Sequence, residues 1–340
     1  MGTLHGRGAW RTDRADVAGW VRSVGADWRG DRICATSESM HGTAPAPPAV
    51  ATVPPVAVQP YEILPPTTPR RALVVASPHS GDHYPEEFLA ASRLDALTLR
   101  KSEDCFVDEI CAAAPSLGAP LLRALFPRAF VDCNREPWEL DPQMFEDALP
   151  DFVNCQSPRV AVGLGTIARL VADGEAIYRR KLRFAEAATR IEGCYHPYHA
   201  ALAGLVDETV AEFGCCILVD AHSMPSIGVG PGATRTRRRV DMVLGDRMGS
   251  ACHPLVIEIA ERVLRGRGYQ VVRNTPYAGG FTTRHYGRPD EGRHALQIEL
   301  NRALYMDERS LARKPFLATL RDDIGAVFQA LAAIEPDALT

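Results

Sequence analysis

The stretch "ILVDAHSM", residues 217–224, decides the fold. Ile217, Leu218 and Val219 form an apolar run that meets Asp220 and His222. It reads as a buried strand with an acid and an imidazole at its tip. That arrangement suits an open α/β sheet, where ligands sit at the carboxyl ends of strands. Working outward, "ALVVAS" (72–77), "AFVD" (129–132), "RVDMVLGD" (239–246), "YQVVRN" (269–274) and "HALQIELN" (294–301) predict further strands. Helical stretches are expected over 103–114, 166–190, 197–213, 250–266 and 309–334. Helices alternating with continuous apolar strands argue an α/β fold with both faces of the sheet covered.

The N-terminal part differs in texture. Residues 45–69 hold nine of the 26 prolines, which favours extended backbone and cannot build a core. Residues 1–60 are expected to be a disordered, proline-rich arm, with Met40 as an alternative start, and 61–340 a single α/β domain. Six arginines precede residue 40, but five acids lie among them and no apolar core of a signal peptide is present. The net charge of −4 gives no basic field for nucleic acid, and no apolar run is long enough for a membrane span. Nine scattered cysteines without a CxxC pair read as reduced thiols of a cytoplasmic protein. The glycine clusters "GLG" (163–165) and "GVGPG" (228–232) do not make a nucleotide fingerprint, and "RTRRR" (235–239) reads as a solvated loop or a lid.

The strand ends collect the chemistry. The first offers His79 and Asp82, the second Asp132, Asn134 and Arg135, the third Asp220 and His222. On the last, Leu296, Ile298 and Leu300 alternate with Gln297, Glu299 and Asn301. Its polar face is either a water-facing edge or a pocket wall. Two histidines from separate strand ends with a carboxylate nearby fit a zinc site that keeps an open position for water. Glu299 would shuttle the proton from water to a leaving amine, and Arg128 or Arg135 would stabilise an oxyanion or grip a carboxylate. The implied reaction is hydrolysis of an amide that bears a carboxylate.

The stretches "SPHSGDHYP", "SEDCFVDEI", "FPRAFVDCNREP", "HPYHAAL", "VDAHSMPS", "DMVLGDRMG", "YAGGFTTRHYG" and "ALQIELNRALYM" occur in this order between residues 77 and 306. Together they resemble the N-formylglutamate amidohydrolase family. The resemblance implies a zinc carboxypeptidase-like fold with a mixed central sheet, and hydrolysis of the formyl or short acyl amide of an acidic amino acid. It implies His79 and His222 as ligands of a divalent metal, zinc by preference, with Asn134 and Arg135 binding the substrate carboxylate and Glu299 as acid/base. Asp82 stands where relatives of this fold carry the glutamate of an HxxE motif, so the third ligand is Asp82 or Asp104. Arg284, His285 and Arg288 are expected at the substrate's carboxylates, held by a turn at Tyr277, Gly279 and Gly280. His196 and His199 of "YHPYH" are expected to be structural, since Pro197 marks a helix start. Alternatives are another acyl amino acid or small peptide as substrate, a serine or cysteine amidase using Ser80 or Cys133, or a binding protein without catalysis. No macromolecular partner is indicated.

Overall fold

The computed structural model describes residues 59–171, 174–226 and 240–339. The arm expected over 1–60 lies almost wholly outside these residues, as do "GVGPG" and "RTRRR". The described residues belong to the compact unit Val53–Thr340.

Seven strands form one sheet: β1 (Tyr61–Leu64), β2 (Leu73–Ser77), β3 (Leu121–Ala124), β4 (Cys216–Met224), β5 (Met242–Gly245), β6 (Val271–Arg273) and β7 (Arg293–Asn301). Their spatial order is β1-β3-β2-β4-β7-β5-β6. The central strands β3, β2, β4 and β7 run parallel, while β1 and β5 join antiparallel at the flanks and β6 follows β5. The sheet is therefore mixed.

Side chains alternate between two apolar layers, as the period of a strand requires. Leu73 and Val75 of β2, Ile217 and Val219 of β4, and Leu296 and Ile298 of β7 face one layer. The helices Pro254–Gly266 and Phe316–Ala332 cover it with Val256, Ile257, Ala260, Ile324 and Phe328. Val74, Ala76, Leu218 and Ala295 face the other, which the helix His196–Phe213 covers with Tyr198, Leu202 and Val206. On that second face β4 continues as Asp220 and His222, and β7 as Gln297 and Glu299. One face thus turns from apolar to polar along each strand. Every residue from His294 to Asn301 is buried, and β7 sits between β4 and β5. Its polar face is a wall inside the molecule and not a wet edge.

Several expected elements are corrected. "AFVD" is not a strand; Phe130 and Val131 are buried in a turn after β3. The strand there is Leu121–Ala124, disguised by Arg123, which leaves the sheet plane to pair with Glu62 and Asp108. Tyr61–Leu64, flanked by prolines, is an edge strand, a place where the missing N–H groups cost little. Within 166–190 only Phe184–Arg190 is α-helical, and it runs through a π-helical turn, Ile191–Tyr195, into His196–Phe213. The helix expected over 103–114 shrinks to Val107–Ile110, which leaves Asp104 outside it. Among the described residues, no helix is long and apolar enough to cross a membrane.

Candidate active site

The parallel register of β4 and β7 sets Asp220 opposite Gln297 and His222 opposite Glu299, on the same face. β2 is the other neighbour of β4, and the chain leaving it delivers His79. Asp104 reaches the same point from a loop, its backbone N–H donating to the His79 carbonyl at 3.0 Å. Their ligand atoms lie within 4.8 Å of one another, and all three residues are buried.

The donor set has a definite chemistry. His79 Nε2 lies 2.7 Å from Asp132 Oδ1, and His222 Nε2 lies 3.0 Å from Asp220 Oδ2. A carboxylate accepts only, so each imidazole donates its Nε2–H to its own acid and turns Nδ1 toward Asp104. The two Nδ1 atoms are 3.1 Å apart and stand 3.3 and 3.1 Å from Asp104 Oδ2. Once their protons are displaced, two Nδ1 atoms and a carboxylate oxygen converging in this way fit a divalent cation. The carboxylates behind both imidazoles are the outer partners that orient metal-binding histidines. Asp104 keeps its other oxygen for Arg302, at 2.9 Å, and Ser223, at 3.1 Å.

Charge is balanced tightly around this group. Burial would raise the Asp132 carboxyl, but Arg128, Arg135 and His79 hold it well below the usual carboxylate range. Asp104 is likewise held down by His222, His79 and Arg302 against its burial. Glu299 goes the other way. Burial, only partly opposed by the charges of His222 and Arg128, pushes its carboxyl up to about 7. Gln297 Nε2 donates to Glu299 Oε1 at 2.9 Å, and Gln297 Oε1 accepts from Gly280 N–H at 2.8 Å.

A pocket of about 300 Å³ opens over these residues, lined by His79, Asp104, Arg128, Asn134, Arg135, His222, Gln297, Glu299 and Arg302 among others. Asn134 is fixed from two sides. Its Oδ1 accepts from Thr282 N–H at 2.9 Å, which turns Nδ2 toward Asp220, at 3.5 Å, and His222, at 3.1 Å. Tyr195, in the π-helical turn, donates its hydroxyl to the Arg135 carbonyl at 2.7 Å.

Other predicted site residues fall elsewhere. Asp82 is exposed, because His83 N–H is drawn to the Leu125 carbonyl and carries the segment away from the site. The third candidate ligand is therefore Asp104, and the HxxD spacing misleads. Arg288 is exposed and pairs with Glu291. His285 stacks on Phe281 and does not line the pocket, and Arg284 pairs with Glu136 in an adjoining cleft. The turn at Tyr277–Gly280 packs on Asn134 and Gln297, and its Gly280 carbonyl accepts from Arg284 N–H at 3.2 Å. His199 is structural: its Nε2 meets the Cys133 carbonyl at 2.9 Å and its Nδ1 the Tyr286 hydroxyl at 3.0 Å. Cys133 is fully buried and its thiol is pushed well up by that burial, which disqualifies it as a nucleophile. Ser80 Oγ is hydrogen-bonded to Ser77 Oγ and accepts from Asp108 N–H, so its hydroxyl is engaged by neither histidine of the site. Arg302 and Arg159 line the pocket without having been singled out. Arg302 follows the polar face of β7 directly, a signal that was there to be read; Arg159 sits in the short helix Pro158–Ala161 and had none.

The family model of N-formylglutamate amidohydrolase matches residues 71–306. An N-formylglutamate deformylase of Pseudomonas aeruginosa is 30% identical over 248 residues, 71% of this chain and 84% of that protein. One from Pseudomonas putida is 28% identical over 262 residues, 75% and 87% of the two chains. The crystal structure of N-formylglutamate amidohydrolase from Ralstonia eutropha superimposes with a TM-score of 0.78 at 36% identity, covering 83% of this chain and all of that one. A gene product of Agrobacterium tumefaciens, 18% identical with a TM-score of 0.57, shares the fold. With its mixed sheet, its strand-end histidines and this match over most of its length, the chain belongs to the N-formylglutamate amidohydrolase family, enzymes that act on an amide bond.

Proposed function

We propose that the protein hydrolyses the formyl amide of N-formylglutamate, releasing formate and glutamate, with a divalent metal, zinc, held by His79, Asp104 and His222. The observation that carries the metal is the convergence of two Nδ1 atoms and a carboxylate oxygen, each imidazole backed by its own acid. The names of the relatives support the substrate.

A divalent cation bound there supplies Lewis acidity toward the amide carbonyl and the attacking water. The chain's own residues do the rest. Glu299 is buried and faces the pocket, and its carboxyl at about 7 lets it both accept and release a proton near neutral pH. It takes the proton of the attacking water and returns it to the leaving nitrogen. Gln297, tied to Gly280 N–H, holds the Glu299 carboxylate in register. Arg128, anchored by Asp132 at 2.8 Å, faces the oxygen that gains charge as the carbonyl is attacked. Asn134 and Arg135 hold the substrate's α-carboxylate beside the reacting centre.

The test is formate release from N-formylglutamate by purified protein, before and after chelation and again after zinc is restored. Loss of turnover on chelation with recovery on zinc is the expected result. No formate from fresh, metal-replete protein would sink the substrate, and turnover indifferent to chelator would sink the metal.

A further inference from the structure

Among the described residues, four arginines line the catalytic pocket: Arg128, Arg135, Arg159 and Arg302. Three of them meet a carboxylate of the protein itself. Arg128 and Arg135 share Asp132, at 2.8 and 3.7 Å, and Arg302 pairs with Asp104 at 2.9 Å. Among the described residues, Arg159 has no carboxylate partner. It stands in the short helix Pro158–Ala161, whose start is fixed by Ser157 Oγ accepting from Arg159 N–H at 3.0 Å. It is exposed and lines both the catalytic pocket and the adjoining cleft, together with Asn134, Arg135, Gly279 and Gly280. In that cleft Arg284 is already taken by Glu136, and Arg247 donates to the Gly279 carbonyl.

We propose that Arg159 is the specificity residue that grips the side-chain carboxylate of the substrate, and so makes the enzyme select acidic over neutral N-formyl amino acids. This rests on the reading that the site cleaves N-formyl amino acids. The placement follows from depth. Asn134 and Arg135 adjoin the metal group, Asn134 through His222, so they serve the end of the substrate near the amide. Arg159 lies outermost, at the mouth shared with the cleft, where the far end of a glutamyl side chain would sit. Its guanidinium is also the one whose charge is not spent on the protein. Burial, together with the neighbouring cations Arg128 and Arg159, pulls the Arg135 guanidinium down, a field that an incoming anion relieves. A planar guanidinium takes a carboxylate through two parallel hydrogen bonds, a geometry lysine cannot copy.

The experiment compares parent, Arg159→Met and Arg159→Lys on N-formylglutamate and on N-formylglutamine, which replaces the carboxylate by an uncharged amide of the same shape. The parent is expected to prefer N-formylglutamate. In Arg159→Met that preference in kcat/KM should shrink about ten- to a hundredfold, chiefly through KM. Arg159→Lys should recover part of it. Arg159 is at the surface, so an unchanged melting temperature identifies the loss as one of binding. A parent that prefers N-formylglutamate, with Arg159→Met keeping the same preference, overturns this assignment alone. A parent that cleaves neither compound overturns the reading of the reaction, and the assignment with it.

Discussion

Glu299 is the residue on which the proposed chemistry turns. It is buried beside His222 across the β4–β7 pairing, and burial has carried its carboxyl to about 7. Glu299→Gln keeps the shape and can still meet Gln297, but removes the base. Its kcat should fall by at least about a hundredfold with bound metal unchanged. A variant that turns over at the parental rate would refute the role, and one that loses its metal would make Glu299 a ligand. The choice of third ligand has its own test. Metal analysis after dialysis should find Asp82→Asn as loaded as the parent and Asp104→Asn depleted, since only Asp104 faces both Nδ1 atoms. The reverse result would restore the HxxD pairing. His79, His222 and Glu299 were legible because an apolar run that ends in an acid or imidazole is abnormal for a buried strand. Asp104 carries no such signal, because what places it is a backbone hydrogen bond to His79, which leaves no spacing in the sequence.

At the scale of elements, the site depends on a turn that crosses the polar face of the sheet. Gly280 lies so close to Asn134 that a Cβ there would fall 2.3 Å from its Oδ1 and 2.4 Å from its Nδ2. Gly245, at the end of β5, would likewise meet the Ala278 backbone at 2.7 Å. The two glycines let the turn and the strand approach until Gly280 N–H reaches Gln297. Gly280→Ala must displace either the turn or Asn134. Overpacking of this kind costs about 1–3 kcal/mol, and a misplaced site residue up to about a hundredfold in rate. We expect a lower melting temperature and a kcat/KM reduced at least about tenfold, with the larger part in kcat. A fully active variant would show that the turn does not set Asn134. The sequence announced this turn through its glycines but not its target. Strands β2, β4, β5, β6 and β7 were legible from apolar runs, whereas β3 carries a charged residue and β1 hides among prolines. The irregular chain before Phe184 packs Ile167, Val171, Ile177 and Leu182 into the core, so its apolar residues imitate a helix without forming one.

The molecule as a whole closes both faces of its sheet, and it seals uncharged histidines inside. His199 is buried between the Cys133 carbonyl and the Tyr286 hydroxyl, and burial lowers its pKa to about 3. Burial lowers His294 and His285 in the same way, each to about 4. In the unfolded chain each would titrate near 6.5. A folded value below the unfolded one means that the unfolded state takes up protons first as pH falls. The stability tied to these groups is therefore complete above about pH 6.5 and lost as pH drops toward 3–4. Glu299 runs opposite: with its folded value near 7, above the ordinary 4.5, it gains a proton on folding in the same range and offsets part of the loss. His199 can be isolated by difference. Between pH 6.5 and 4.5, where the unfolded imidazole goes from half to fully protonated, its share is ~2 kcal/mol. His199→Gln can still donate to Cys133 and accept from Tyr286, yet does not titrate. Urea unfolding should find the variant less stable than the parent at pH 7, because its packing is poorer. It should also find the gap narrowed or reversed at pH 4.5. A parent and variant that lose stability in parallel across this range would show that His199 is not held neutral by the fold.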